Sequence, residues 1–345
     1  MRAEPLAAAA RILLPILLAL AAGGAILLLL GKDPLAYYGY VVERGLFRAS
    51  GLQATVTRAA PLLSIAAGLI VAFRAGIWNL GVDGQFLLAA VFTAALAPVL
   101  VGFLPAPLAW LIAITVAALV GATWSLLPAL LKARYGINEI VTTLMMSFLG
   151  ISFANVLVKL VFDDSQTTVP QTLTLPVDER LWRLFGTTVN VSILLALASV
   201  VMVHLVMTRT SFGLRLQIVG GNPRAAIHAG LNVGLLTYAT FALSAALAGV
   251  GGAIDILGVY GNVQADWNPG YGLLVVPLVF LARFNGYGTI LFVFFFSVLV
   301  IGGESAARRL GVPNFFVLML VGLLLIFLAL IEYLDYRRRL ERAAS

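Results

Sequence analysis

Apolar residues run along the chain in blocks separated by short polar stretches: 12–30, 55–73, 84–100, 108–131, 139–161, 189–208, 235–257, 271–283, 287–303 and 313–333. A helix of about 20 residues crosses the roughly 30 Å of hydrocarbon in a bilayer, and most blocks have that length. Unpaired backbone groups are not tolerated in lipid, so such blocks must be helical. The short alternating strands of a membrane barrel are absent. The pattern predicts an all-α, polytopic α-helical membrane protein of about ten membrane segments. The block at 271–283 is too short to cross alone. It is expected to be a half-helix or re-entrant piece, with its ends covered by protein or facing a water-filled cavity. The first block carries Arg2 and Arg11 and a small triplet at 19–21, as a signal peptide would, but its apolar run continues to Leu30. It is therefore read as an uncleaved first helix.

Two polar stretches are longer than a turn. The 162–189 segment carries Asp163, Asp164, Pro170, Pro176, Asp178 and Glu179, whereas the 209–233 segment is basic and rich in small residues. No linker separates soluble domains, so 1–345 reads as one membrane domain. Lysine and arginine favour the cytoplasmic side of a membrane. Their modest bias, strongest in the run Arg337–Arg339 directly after the last block, places both termini and the 209–233 segment in the cytoplasm and 162–189 outside. Internal repetition is weak: Asn79 and Asn285 each lead through glycine into an apolar helix.

Composition sharpens this reading. Of 345 residues, 61% are hydrophobic and 11% charged, far from the half apolar and quarter charged of a soluble domain. The net charge of +7 reflects loop anchoring rather than a nucleic-acid surface, because no basic cluster is interleaved with exposed aromatics. The chain has no cysteine and two histidines, His204 and His228, far apart. Thiol chemistry is excluded, and no metal site is expected. The phosphate-binding loop Gly-x-x-x-x-Gly-Lys-Ser/Thr is missing, and Gly31-Lys32 is followed by Asp33. By that route the chain cannot hold ATP, and no catalytic set stands out. Any energy must come from an ion gradient or a partner subunit.

Three motifs remain. Gly220-Gly221-Asn222-Pro223-Arg224-Ala225-Ala226-Ile227-His228-Ala229-Gly230 reads as a short capped helix: Asn222 as N-cap, Pro223 at the first helical position, Gly230 ending it at positive φ. About two turns of helix are marginal alone in water, so something should pack on it. Trp78-Asn79-Leu80-Gly81-Val82-Asp83-Gly84-Gln85 is a glycine-rich break between two blocks. Asn138-Glu139-Ile140-Val141-Thr142-Thr143-Leu144-Met145 opens the next helix. There Asn138 and Glu139 either cap the helix and meet its dipole or face a transport pathway. Asp255, His204, Asn155 and Ser147 are polar residues within blocks, where a functional role is the default. Asp255 falls near the outer end of its block, within reach of headgroups, and His204 near an inner, solvated end.

These motifs resemble those of permease subunits of bacterial ABC importers, in the family serving branched-chain amino acids, simple sugars and nucleosides. The resemblance is greatest to nucleoside-type permeases that work with a lipoprotein of the basic-membrane-protein type. Their phrases F-N-I-G-x-E-G-Q, N-E-x-x-x-T-L-M and G-x-N-P-x-A-A-x-x-A-G correspond to the three motifs above, in the same order, and the likeness covers about 55–335. It implies that Gly221, Asn222, Pro223, Arg224, Ala225, Ala226 and Gly230 form a coupling helix on a cytoplasmic ATP-binding subunit, which would hold ATP and magnesium. It also implies a second permease, identical or different, and an extracytoplasmic substrate-binding protein. Asn79, Asp83, Gln85, Asn138, Glu139, Thr142 and Ser147 would lie near the pathway of a small polar solute, a nucleoside first, a simple sugar or branched-chain amino acid otherwise. The location implied is the bacterial inner membrane. Three departures stand out: Asp83 replaces a glutamate, Trp78 a phenylalanine, and Ser147 an expected asparagine. Two other classes are weighed. An ion-coupled secondary transporter would use Asp255 or Glu139 and need no ATPase. A non-transporting scaffold has no need of glycine-broken polar helices at membrane depth.

Overall fold

A computed structural model describes residues 3–313 and 315–344; Arg2 of the basic set lies outside the described residues. Among them there are fourteen α-helices and no strand. They are α1 (Ala3–Leu29), α2 (Pro34–Val42), α3 (Ala49–Arg74), α4 (Val82–Val101), α5 (Ala106–Trp124), α6 (Leu126–Tyr135), α7 (Glu139–Leu160), α8 (Ser192–Arg209), α9 (Ser211–Gly221), α10 (Pro223–His228), α11 (Val233–Asp255), α12 (Tyr271–Leu281), α13 (Gly286–Leu310) and α14 (Phe316–Ala344). Seven stretches are long and apolar enough to cross a membrane, and Leu13–Leu29, Tyr271–Leu281 and Phe316–Ile331 are shorter apolar helices. All ten expected blocks are therefore helical, and the chain is an all-α polytopic membrane protein. At about 1.5 Å per residue, the 11 residues of α12 span about half the hydrocarbon.

The described chain forms two compact units, one of residues 1–55 and 294–345, the other of residues 56–293. In the first, α1 runs along α14. Tyr37 of α2 packs edge-on against Phe316 at 5.1 Å, within a core that includes Leu27, Val41, Ala306 and Leu320. The hydrophobic pattern did not reveal α2. It starts where the Asp33 carboxylate accepts from the Leu35 and Ala36 amides, with Pro34 at its first position, and it leads into a π turn at Glu43–Phe47. The last helix also departs from expectation. The Arg337–Arg339 run lies within α14, because arginine, leucine and glutamate are good helix formers and nothing in 332–344 stops the helix.

The second unit is built around α4, α5 and α11. Their contact faces are small: Ala89, Ala90, Ala117, Gly121, Ala245, Ala248, Gly249 and Gly252 are all buried. A Cβ on Gly121 would collide with the Ala245 carbonyl, one on Gly249 with the Ala117 carbonyl, and one on Gly252 with the Phe86 carbonyl. Lipid is as apolar as leucine, so close backbone packing rather than water exclusion must hold such helices together. The expected 108–131 block is interrupted at Ser125, between α5 and α6, where the Ser125 hydroxyl donates to Ala122 O at 2.7 Å. The 209–233 segment holds two helices, not one. The additional α9 follows a Thr210 cap and buries Leu216 and Val219.

Three polar residues within the blocks are placed by the structure, and one departs from expectation. Asp255 does not reach toward headgroups but is buried, beside Arg58 and Tyr271. His204 Nδ1 accepts from the Gly286 amide at 3.3 Å, and its ring lies 4.5 Å from that of Tyr287. Asn155 Oδ1 accepts from the Asp266 amide at 2.7 Å and so secures the link between α11 and α12. The 162–189 segment runs alongside that link, with Thr172 N donating to Val263 O and Leu175 N to Gly261 O.

The packing predicts that Gly249→Ala destabilises the protein by about 1–3 kcal/mol, as overpacking does, although alanine is the better helix former. The check is the apparent Tm in detergent, and a variant as stable as its parent would contradict the small-residue account.

Candidate functional site

Two neighbouring features of the second unit carry the sequence motifs. The first is the link between α3 and α4. Helix α3 ends at Arg74, and Gly76 just beyond it, with a φ of 68°, lets the Ile77 amide turn back to Ala72 O at 2.9 Å. Residues 77–81 are then non-helical, and side chains accept from the amides of Leu80 and Gly81 there and of Gly84 in the first turn of α4. Gly81 N donates to Asn79 Oδ1 at 3.1 Å, Leu80 N to Thr143 Oγ1 at 3.1 Å, and Gly84 N to Ser147 Oγ at 3.1 Å. Asn79 and Gln85 exchange reciprocal amide hydrogen bonds at 3.0 and 3.1 Å, and Asn79 also donates to Ser244 Oγ of α11 at 3.0 Å. The polar side chains of this knot, Asn79, Gln85, Thr143, Ser147 and Ser244, are all buried. In a low-dielectric interior a fully satisfied network fixes one arrangement, and a half-satisfied one is costly.

The structure thus brings Asn79, Gln85 and Ser147 together and partners each within the chain. Ser147, present in place of an expected asparagine, is short enough for α4 to approach: a Cβ on Gly84 would lie 2.9 Å from Ser147 Cα. Asp83 reaches α12 instead, accepting from Gly272 N at 2.6 Å. At the start of α7 the capping role holds for Asn138, whose side chain accepts from Ile140 N at 2.9 Å. Glu139 is buried and pairs with Lys132 of α6 at 2.6 Å. Thr142 donates back to its own helix and does not join the knot.

The second feature is α10. Asn222 Oδ1 accepts from Ala225 N at 3.1 Å. Gly230, at φ 78°, closes the helix with Leu231 N donating to Ala226 O at 3.0 Å, the paired C-terminal motif expected of such a glycine. Pro223, Arg224, Ala225 and Ile227 are exposed, but Ala226 is fully buried, so it seats α10 on its own chain rather than facing outward. Gly221 is exposed, with nothing near its Cβ position. Gly220 crosses the α3–α4 link so closely that a Cβ would lie 2.8 Å from the Gly76 amide. Around this crossing is a cavity of about 420 Å³ lined by Ile77, Lys132, Pro223, Ile227 and Asn232, among others.

Sequence reasoning missed Thr143 as an acceptor, Ser244, Gly272, Lys132 and the Gly76–Gly220 crossing. Only Thr143 had a local signal, as a threonine four residues after the helix-opening Glu139. The other partners come from distant parts of the chain or, for Lys132, from the preceding helix.

The sequence matches a known family. Residues 51–329 match the one described as the branched-chain amino acid transport system / permease component. The chain belongs to this permease family. It is 33% identical, over 93% of its length and 87% of the relative's, to a glucose ABC transporter permease protein of Haloferax volcanii. It is 28% identical to a guanosine ABC transporter permease protein of Bacillus subtilis, over 92% of each chain. With a nucleoside ABC transporter permease protein of Lactococcus lactis it shares 25% identity, over 89% of this chain and 86% of the relative. No solved structure matches it. The relatives are permease subunits rather than enzymes, and this permease is a multi-pass membrane protein.

The knot predicts that Asn79→Ala strands Gln85, Gly81 and Ser244 and lowers stability by about 1–3 kcal/mol. Thr142→Ala, with only local bonds, should stay within about 0.5 kcal/mol of the parent. Denaturant unfolding in detergent measures both, and equal effects would contradict the division of roles.

Proposed function

We propose that this permease forms the translocation pathway of an ATP-driven importer for an uncharged, hydroxyl-rich solute, a nucleoside foremost and a simple sugar otherwise. The observation that carries the reading is the open face of α7. Val141, Met145, Phe148, Leu149 and Val156 are exposed along it with Ser152, and no charged side chain interrupts them. Such a wall suits a solute with an apolar ring and hydroxyl groups and offers nothing to an amino acid's two charges. The glucose, guanosine and nucleoside named for the relatives support the same class. The buried Asn79, Gln85, Ser147 and Glu139 then hold the wall from behind, and Thr142 and Asn138 lie nearer the pathway's mouth. Pathway closure would come from a second permease, the same or different.

In this reading α10 docks on a cytoplasmic ATPase through Pro223, Arg224, Ala225 and Ile227, and that subunit supplies ATP and magnesium. The 209–233 segment and both termini are cytoplasmic. The 162–189 segment faces a substrate-binding protein on the other side of a bacterial inner membrane.

Ala225→Glu puts a charge on the free face of α10. It should cut ATP-dependent uptake by about tenfold, with monodispersity and Tm unchanged. Ala226→Glu, buried under the same helix, should instead compromise folding. Uptake into vesicles is measured with ATPase and binding protein present. Normal uptake by Ala225→Glu, or gradient-driven uptake by the purified permease alone, would contradict the assignment.

A further inference from the structure

The short helix α12 is capped by a residue from another helix. Its own N-cap position is Gly270, left-handed at φ 64° and without a side chain to offer. A free amide of its first turn goes instead to Asp83 in the first turn of α4: Gly272 N donates to Oδ1 at 2.6 Å. Asp83 is 8% exposed. A Cβ at position 272 would lie 2.9 Å from Asp83 Cγ and Oδ1, so glycine is what lets the carboxyl group reach the amide.

Other contacts fasten α12 to the same arm of the protein. Phe86, one turn after Asp83, packs edge-on against Tyr271 at 5.4 Å. At the other end Phe280 stacks on Trp78 at 5.2 Å and lies 4.8 Å from Phe73. The far side of this arm is the Gly76–Gly220 crossing, two residues before the cap of α10. A continuous series of contacts therefore leads from the foot of α10, through residues 76–83, to the start of α12.

We propose that Asp83 is a positioning residue for transport: its cap binds α12 to α4 throughout the cycle, so that displacement at the α10 end of the α3–α4 link carries α12 with it. Parting the two would leave a carboxyl group and the Gly272 amide without partners in a water-poor interior. Moving the helices as one body avoids that cost. Asp83 acts through α12 and does not touch the solute. The input to this movement rests on α10 being the ATPase-docking helix; the cap does not.

The chain has no cysteine, so thiols introduced at 83 and 272 would be its only ones, close enough to bridge. The quantity to measure is solute imported per ATP hydrolysed, in liposomes containing the permease with its ATPase and binding protein. Failure of the unaltered permease to import with ATP would count against the proposed function, not against the cap. Asp83→Ala should lower the ratio by about tenfold, with KM for uptake changed by less than about twofold. In the double variant Asp83→Cys, Gly272→Cys, oxidation to the disulfide should restore the ratio and reduction should abolish it again. An unchanged ratio in Asp83→Ala would overturn the proposal. So would a double variant that transports when reduced and stops when oxidised, since the cap would then have to open. Should Asp83→Ala fail to fold, the oxidised and reduced forms of the double variant decide the matter by the same criteria.

Discussion

A backbone amide without a partner inside a membrane costs several kcal/mol, and this constraint organises the second unit. Two of the helix breaks there, between α3 and α4 and before α12, carry the motifs. At each, side chains supply acceptors for the backbone amides. Asn79, Thr143 and Ser147 serve the first break, and Asp83 serves the second. The interruptions are what allow helices to begin and end at a depth where a continuous span would offer only an apolar surface. The polar residues of the motifs are the condition for the interruptions.

Small residues are the second condition. The acceptors reach their amides only because backbones approach closely, at Gly84 with Ser147, at Gly272 with Asp83 and at Gly76 with Gly220. Each crossing joins a motif to a different neighbour: α7, α12 and the foot of α10. In the proposed reading, converting movement at one end into movement of the wall needs such stiff joints, since loosely packed apolar helices would absorb the displacement rather than pass it on.

Much of this was legible in the sequence where the signal is local. The apolar blocks gave every long helix, because hydrocarbon thickness sets their length. Asn222, Pro223 and Gly230 announced α10, because a cap needs only its own first and last turns. Asn138 announced α7 for the same reason. What stayed hidden depends on distant partners or on direction. Asp83 and Gly272 are 189 residues apart, and neither marks the other. Ala226 and Ala225 are alike as letters, yet one is buried and the other is exposed. Helix α2 was obscured because it is only nine residues long, and the extension of α14 because its polar end looked like a solvated tail.

The central claim is that the motif side chains serve the broken backbone. Hydrogen–deuterium exchange of the permease in lipid nanodiscs tests it most directly, read on peptides covering residues 79–85 and 271–274. The account predicts slow exchange at Leu80, Gly81, Gly84 and Gly272 despite the absence of continuous helix across the breaks, with Gly272, of these four, becoming fast in Asp83→Ala, which removes its acceptor. Exchange at these amides as fast as in the 162–189 segment would contradict it.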